Sequence, residues 1–150
     1  MSLENLLKIG QLKRHQTDRE EIRRLLDSAR RNLADAGIEA VSHENRFHAA
    51  YTAIMQCALA AMMASGYRPD TKKPGHHMTL IQSLSLTMGL QGKRIVLLEA
   101  FRKKRNLTDY DGGFIEEGVM HSAMGEARRL LEDVENWLAK EFPYLFVERC

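Results

Sequence analysis

The chain has 150 residues, of which 44% are hydrophobic and 28% are charged, and its net charge is +2. This length and composition are typical of one globular domain and exclude a disordered chain. The near balance of 22 basic and 20 acidic residues also excludes a strongly basic nucleic-acid coat protein. Only 3 prolines occur, and long proline-poor segments favour helices. The sequence therefore predicts a single all-α domain over residues 1–150.

The sequence gives no sign of export or membrane insertion. The N-terminal segment carries Glu4 and lacks the long apolar core of a signal peptide. The most apolar stretch, residues 49–64, is shorter than a membrane span and is interrupted by Gln56. Two cysteines, Cys57 and Cys150, make no disulfide framework and suit a reducing compartment. We therefore expect a cytoplasmic protein without membrane contact, in which the Cys57 thiol is buried and inert.

The first third of the chain predicts two helices separated by a polar break. Residues 2–9 favour a short helix, and the break lies between Gly10 and Thr17. Thr17 and Glu20 then have the spacing of a capping box. An apolar stripe follows and predicts an amphipathic helix over residues 18–36. The stripe consists of Ile22, Leu25, Leu26, Ala29, Leu33 and Ala36.

The middle of the chain predicts a central helix followed by a loop. Ser42 is a suitable N-cap, and residues 49–64 are small or apolar at nearly every position. A helix that is apolar almost all round belongs at the centre of a bundle. Residues 67–77 have the composition of a loop. Further helices are expected over residues 78–88, 91–108 and 114–141, and no β-strand is predicted.

The chemically densest stretch, called here the polar motif, is residues 102–111. Arg102, Arg105 and Asn106 share one helical face because they lie three and four residues apart. Two guanidinium groups on one face suit a phosphate or a carboxylate, since arginine presents a rigid fork of donors. The alternative is an ordinary intrahelical ion pair between Arg105 and Asp109, four residues on.

The histidines give a weaker signal. His76 and His77 are adjacent in the predicted loop, and no third ligand stands at zinc spacing, so no metal site is predicted. His48 and Tyr51 lie early in the central helix, and we include both among the candidate ligand-binding residues. No phosphate loop or cofactor motif occurs, so no cofactor is expected. The methionines fall mostly at core positions.

Four stretches, in their order along the chain, resemble the HEPN domains, a family of small helical bundles of prokaryotes and eukaryotes. The first is similar to the aromatic- and alanine-rich second helix of these domains, and the second is similar to the end of that helix. The third is similar to the loop and short helix that follow. The fourth contains the arginine–asparagine pair that many members carry. The stretches are residues 45–55, 58–66, 75–84 and 98–112, and the resemblance covers residues 18–141.

The resemblance implies an antiparallel bundle of four to five helices, usually paired as a homodimer and often associated with a nucleotidyltransferase partner. Many members are metal-independent ribonucleases with an arginine followed four to six residues later by a histidine. No histidine stands at that spacing after Arg102 or Arg105 in this chain. Asp109 and Tyr110 occupy two of the positions at which the family signature has histidine.

Two functions stay open on these grounds. The first is a non-catalytic module, paired as a homodimer, that binds a nucleotide, RNA or a protein partner through the polar motif. The second is a metal-independent ribonuclease of a toxin–antitoxin-like pair. RNA cleavage needs a base and an acid, so Asp109, Tyr110 or a histidine from elsewhere, His48 or His76, would replace the absent one. The missing histidine favours the first function.

Overall fold

The computed structural model describes residues 1–146, most of which are helical. The helices are α1 (Leu3–Lys8), α2 (Arg19–Ala36), α3 (His43–Ala64), α4 (His76–Gln82), α5 (Leu84–Thr87), α6 (Gly92–Asp111) and α7 (Glu117–Glu141). Two three-residue strands, β1 (Leu12–Arg14) and β2 (Tyr67–Pro69), complete the fold. The prediction of a mainly helical bundle is confirmed.

The central helix is α3, as its composition predicts. It packs against α2 and α7, and more than half of its residues are buried. The α2 and α3 helices run antiparallel, because Arg46 Nε donates to Ala36 O at 2.7 Å at one end and Gln56 Nε2 donates to Ser28 Oγ further along. Among residues 1–146, α3 alone has the length and hydropathy of a membrane span, but 67% of that window is buried inside the fold. Its apolar character is therefore accounted for by the core.

Helix α6 is held against the bundle by one aromatic contact and one buried ion cluster. Phe101 meets Phe47 of α3 edge to face, with ring centroids 6.1 Å apart. At the other end of α6, Arg94 is buried and donates to Asp133 of α7 at 2.5 Å, with Glu126 3.5 Å away. A buried arginine needs such partners, since an unpaired buried charge is strongly destabilising. These contacts fix α6 relative to α3 and α7.

Some helix ends agree with the sequence and others differ from it, such as that of α6, which continues to Asp111 and not only to residue 108. The Ser42 hydroxyl caps α3 by accepting from Asn45 N, as predicted. The cap of α2 is Asp18, whose carboxylate accepts from Glu21 N, so the Thr17 capping box is wrong by one residue. The last long helix starts at Glu117 and not at residue 114, because Ile115 N donates instead to the Glu44 carboxylate at 3.0 Å.

The prediction that the chain contains no β-strand is wrong. Strands β1 and β2 pair antiparallel, with Leu12 opposite Pro69 and Arg14 opposite Tyr67. The predicted loop over residues 67–77 therefore begins as a strand, and the predicted polar break contains the other. Gly66, with φ of +97°, makes the turn from α3 into β2. Both strands have only three residues, and β2 ends at Pro69, so neither shows the alternating pattern by which strands are recognised.

The predicted helix over residues 78–88 is two short helices, α4 and α5, which meet at Ser83. The earlier start, at His76, follows Gly75, whose φ of +79° places the chain for a new helix. Met62, Met120 and Met124 are buried in the core, as predicted. Cys57 is also buried, and burial raises the pKa of its thiol to about 12. Cys150 lies outside the described residues.

We predict that Ile54→Ala lowers the free energy of unfolding by about 2–5 kcal/mol, because the Ile54 side chain is fully buried in α3 and its removal leaves a cavity. The matched control is Ile9→Ala, since Ile9 is 60% exposed and its loss should cost less than about 0.5 kcal/mol. Urea unfolding measures both values. Equal effects of the two substitutions would contradict the central placement of α3.

Candidate functional site

A pocket of about 420 Å³ lies along one face of α3 and is called here the α3 pocket. Its volume is in the range of small-molecule sites. The floor consists of the α3 residues His48, Tyr51, Thr52, Met55, Gln56, Leu59 and Met63. The opposite wall consists of Arg68, Pro69, Thr71, His76, His77 and Leu80, and Arg105 of α6 completes the lining. The pocket thus joins three segments that are far apart in the chain.

Three polar side chains from α3, α4 and α6 meet in the α3 pocket. Tyr51 Oη lies 3.3 Å from His77 Nδ1, and Arg105 Nη1 lies 3.4 Å from the same nitrogen. The Arg105 guanidinium also lies over the Tyr51 ring, 5.4 Å from its centroid. The His76 ring stands edge to face with His77 at 4.7 Å. The pocket therefore carries an arginine, a phenol and two imidazoles in mutual contact.

The contacts of His77 favour one protonation state. An arginine side chain has only donors, so its contact with Nδ1 of His77 favours the neutral ring with the proton on Nε2. Burial lowers the pKa of His77 below its ordinary value of 6.5, and the charges of His76, Arg105 and Arg102 act in the same direction. Burial likewise raises the pKa of Tyr51 to about 12, which keeps the phenol protonated as a donor.

The arginines of the polar motif have different surroundings. Arg102 donates twice to Glu99, at 2.7 and 3.0 Å, and these hydrogen bonds raise the pKa of Arg102. Its charge is therefore neutralised within α6. Arg105 forms the predicted intrahelical pair with Asp109 through its buried Nε, at 3.5 Å and without a hydrogen bond. Arg105 is therefore paired less closely than Arg102, and its guanidinium lines the α3 pocket.

The other residues predicted to form the site are scattered. His48 is exposed and lines the α3 pocket beside Tyr51. Asp109, with a side chain that is 54% exposed, lines a neighbouring pocket of about 250 Å³. Asn106 is exposed and is not among the described residues of the α3 pocket. Tyr110 is 94% exposed on the outside of the molecule. The structure thus groups Arg105, Tyr51 and His48 and leaves Asn106 and Tyr110 apart.

His77 was not predicted to join Tyr51 and Arg105. His76 was predicted only as a possible replacement for the histidine that is absent from the family spacing. Both histidines lie in the predicted loop, and the position of a loop relative to α3 or α6 does not follow from sequence spacing. The available signal was Gly75, which precedes the pair and permits a helix start. Such a start fixes His76 and His77 in the first turn of α4, where they face the pocket. Within residues 1–146, no group of three or more histidine, cysteine, aspartate or glutamate side chains is arranged to hold a metal ion.

Comparisons with known proteins leave the family open. No protein family matches the chain, and no curated protein or solved structure matches it either.

We predict that the His77 imidazole titrates below the ordinary histidine value of 6.5, because burial and nearby positive charges disfavour the protonated ring. Arg105→Met should move this pKa upward, since it removes one of those charges. The exposed Arg128 on α7 supplies the control Arg128→Met, which should leave the pKa unchanged. A pH titration of the histidine ring protons by NMR measures the three values. A His77 pKa that does not respond to Arg105→Met would contradict their contact.

Proposed function

We propose that the protein is a binding module that captures an anionic small molecule in the α3 pocket, with Arg105 as the anion contact. The observation that carries the proposal is the Arg105 guanidinium, which lines the pocket, is paired with Asp109 only at 3.5 Å and lies 3.4 Å from His77 Nδ1. Among the ligand classes predicted from the sequence, a nucleotide matches the size of this pocket better than an RNA strand or a protein.

The charge of the lining supports an anion. None of the described residues that line the α3 pocket is an aspartate or a glutamate, whereas two arginines and three histidines do line it. Arg68 forms no ion pair with any of the described acids. A bound anion would also stabilise the protonated form of His77. Its affinity should therefore increase as the pH falls towards the lowered pKa of that ring.

The resemblance to HEPN domains is part of the proposal. The order of a buried aromatic- and alanine-rich helix, a connecting segment, a short helix and an arginine-bearing helix supports it. The homodimer, the nucleotidyltransferase partner and the cytoplasmic location stay predictions.

We predict that Arg105→Met weakens the binding of adenosine 5′-monophosphate and of inorganic phosphate by roughly 10- to 100-fold. This range follows from the loss of a charge-assisted hydrogen bond, which contributes about 1.5–3 kcal/mol. Isothermal titration calorimetry measures the affinities.

The matched control is Lys103→Met, which removes the same charge from an exposed position of the same helix, two residues away. The affinity of this variant for both anions should stay within about twofold of that of the unsubstituted protein, because a surface charge is screened by solvent and salt. An equal loss in both variants would show that net charge, and not the α3 pocket, binds the anion.

A second function, metal-independent RNA cleavage, is favoured by one observation. His48, His76 and His77 all line the pocket that contains Arg105. Histidines are therefore present beside the arginine, although none stands four to six residues after it in the sequence. Such cleavage needs a base for the 2′-hydroxyl proton, an acid for the leaving oxygen and a cation for the phosphorane. We propose His76 as the base, the protonated His77 ring as the acid that gives its proton to the leaving oxygen, and Arg105 as the cation in this alternative.

If the protein is a ribonuclease, it should cleave a panel of single-stranded RNAs in the presence of EDTA and leave 2′,3′-cyclic phosphate ends. His76→Ala and His77→Ala should each reduce the rate by at least about 100-fold, the usual contribution of acid–base catalysis. The exposed His121 on α7 provides the control His121→Ala, which should keep full activity. No cleavage of any RNA in the panel would dismiss this second function and leave the binding function intact.

A further inference from the structure

The polar groups of the α3 pocket are unevenly distributed along α3. Tyr51 lies in the first half of the helix and contacts both His77 and Arg105. The floor beyond it consists of Met55, Leu59 and Met63, which follow at helical spacing. From Tyr51 to Met63 the helix rises by about 18 Å. One end of the pocket is therefore suited to an anion, and most of its length is apolar.

The polar side chain in the middle of the floor is held by hydrogen bonds to α2. Gln56 Nε2 donates to Ser28 Oγ at 2.7 Å, and its Oε1 accepts from Asn32 Nδ2 at 2.9 Å. The amide is thus turned towards α2 and satisfied there. A nucleobase buried in this part of the pocket would leave its own donors and acceptors unpaired, which costs about 1–3 kcal/mol for each group. An apolar body avoids this cost.

The surface around the pocket does not favour a long polyanion. Next to Arg105, Arg102 is bound to Glu99 and Lys104 is paired with Glu116 at 3.3 Å. A nucleic-acid strand binds along a continuous row of unpaired cations. These pairs interrupt any such row along α6. The single available guanidinium at this end is matched instead to one anionic group.

We propose that the α3 pocket binds a small amphipathic anion: one carboxylate or phosphate monoester group at Arg105 and His77, attached to an elongated apolar body that lies over Met55, Leu59 and Met63. The proposal rests on the binding function above and names the ligand class of the same pocket. The methionine-rich floor suits chains of varied shape, because the unbranched methionine side chain adapts to what it contacts. Leu80 of α4 covers the apolar body from the opposite wall.

The experiment measures the binding of probes of graded chain length to the 150-residue chain by isothermal titration calorimetry, at probe concentrations below their critical micelle concentrations. The carboxylate series is butanoate, hexanoate, octanoate and decanoate, and octyl phosphate distinguishes the two head groups. Affinity should increase about three- to fourfold for each CH₂ that is buried, and then level off when the groove is filled. Octan-1-ol should bind at least tenfold more weakly than octanoate.

Two variants test separately the contact with the anionic group of the ligand and the contact with its apolar body. Met63→Gln, which is close to isosteric at a partly buried position, should reduce the gain per CH₂ for the longer chains and leave butanoate unaffected. Arg105→Met should weaken every anion and remove the difference between octanoate and octan-1-ol. Met88→Gln, at a partly buried methionine that does not line the pocket, is the control for folding and should match the unsubstituted protein.

The outcomes distinguish this inference from the proposed function. If adenosine 5′-monophosphate or inorganic phosphate binds as tightly as octanoate or octyl phosphate, and chain length has no effect, the apolar body is refuted and the anion site stands. If no anion binds in either series, both proposals fail. If octan-1-ol binds as well as octanoate, the pocket is a purely apolar site and the role of Arg105 is refuted.

Discussion

The burial of α3 on most of its circumference is the constraint from which the rest of the structure follows. Helices α2 and α7 cover two sides of α3. The face that remains carries His48, Tyr51, Met55, Leu59 and Met63, and among residues 1–146 the long helix α6 reaches it only near Tyr51, through Arg105. The chain covers this face with the segment from β2 to α4 and leaves a pocket beneath. The candidate site is therefore a consequence of how the core helix is covered.

The polar end of the pocket depends on the same arrangement. Tyr51 and Phe47 lie one turn apart on α3, and Phe101 and Arg105 lie one turn apart on α6. The Phe47–Phe101 contact fixes the two helices, and this places Arg105 over the Tyr51 ring. Burial then favours the neutral His77 ring and the protonated Tyr51 phenol, and Tyr51 Oη and Arg105 Nη1 lie 3.3 and 3.4 Å from Nδ1 of that ring. Packing in the core thus sets the protonation at the site.

Periodic apolar sequence predicted the long helices well, and local residue chemistry predicted some of their ends. The α3 helix was predictable because its apolar residues leave no solvent face, and the Ser42 cap because a hydroxyl at that position satisfies a free amide. The β1–β2 pair was not predictable, since its stability comes from partners more than fifty residues apart and its strands are too short for a pattern.

The candidate site was predictable only in part, because helical spacing predicts contacts within one helix and not contacts between distant segments. Helical spacing correctly placed Arg102 and Arg105 near each other, and it predicted the contact of Arg105 with Asp109. The pair of Glu99 and Arg102, three residues apart, follows from the same helical spacing but was not predicted. Helical spacing did not bring His77 to Tyr51, since that contact depends on the path of the chain after α3.

The hydrogen bonds of Gln56 have a consequence for how the pocket would diversify among descendants of this protein. Because Ser28 and Asn32 hold that amide, a rotation of α3 or a substitution of Gln56 would disturb the α2 interface and lower stability. The opposite wall is different at Thr71, which is exposed, as are Lys72, Lys73 and Pro74 that follow it, so this segment makes few demands on the core. New ligand preferences would therefore arise by substitution in this segment, while Gln56 is inherited unchanged.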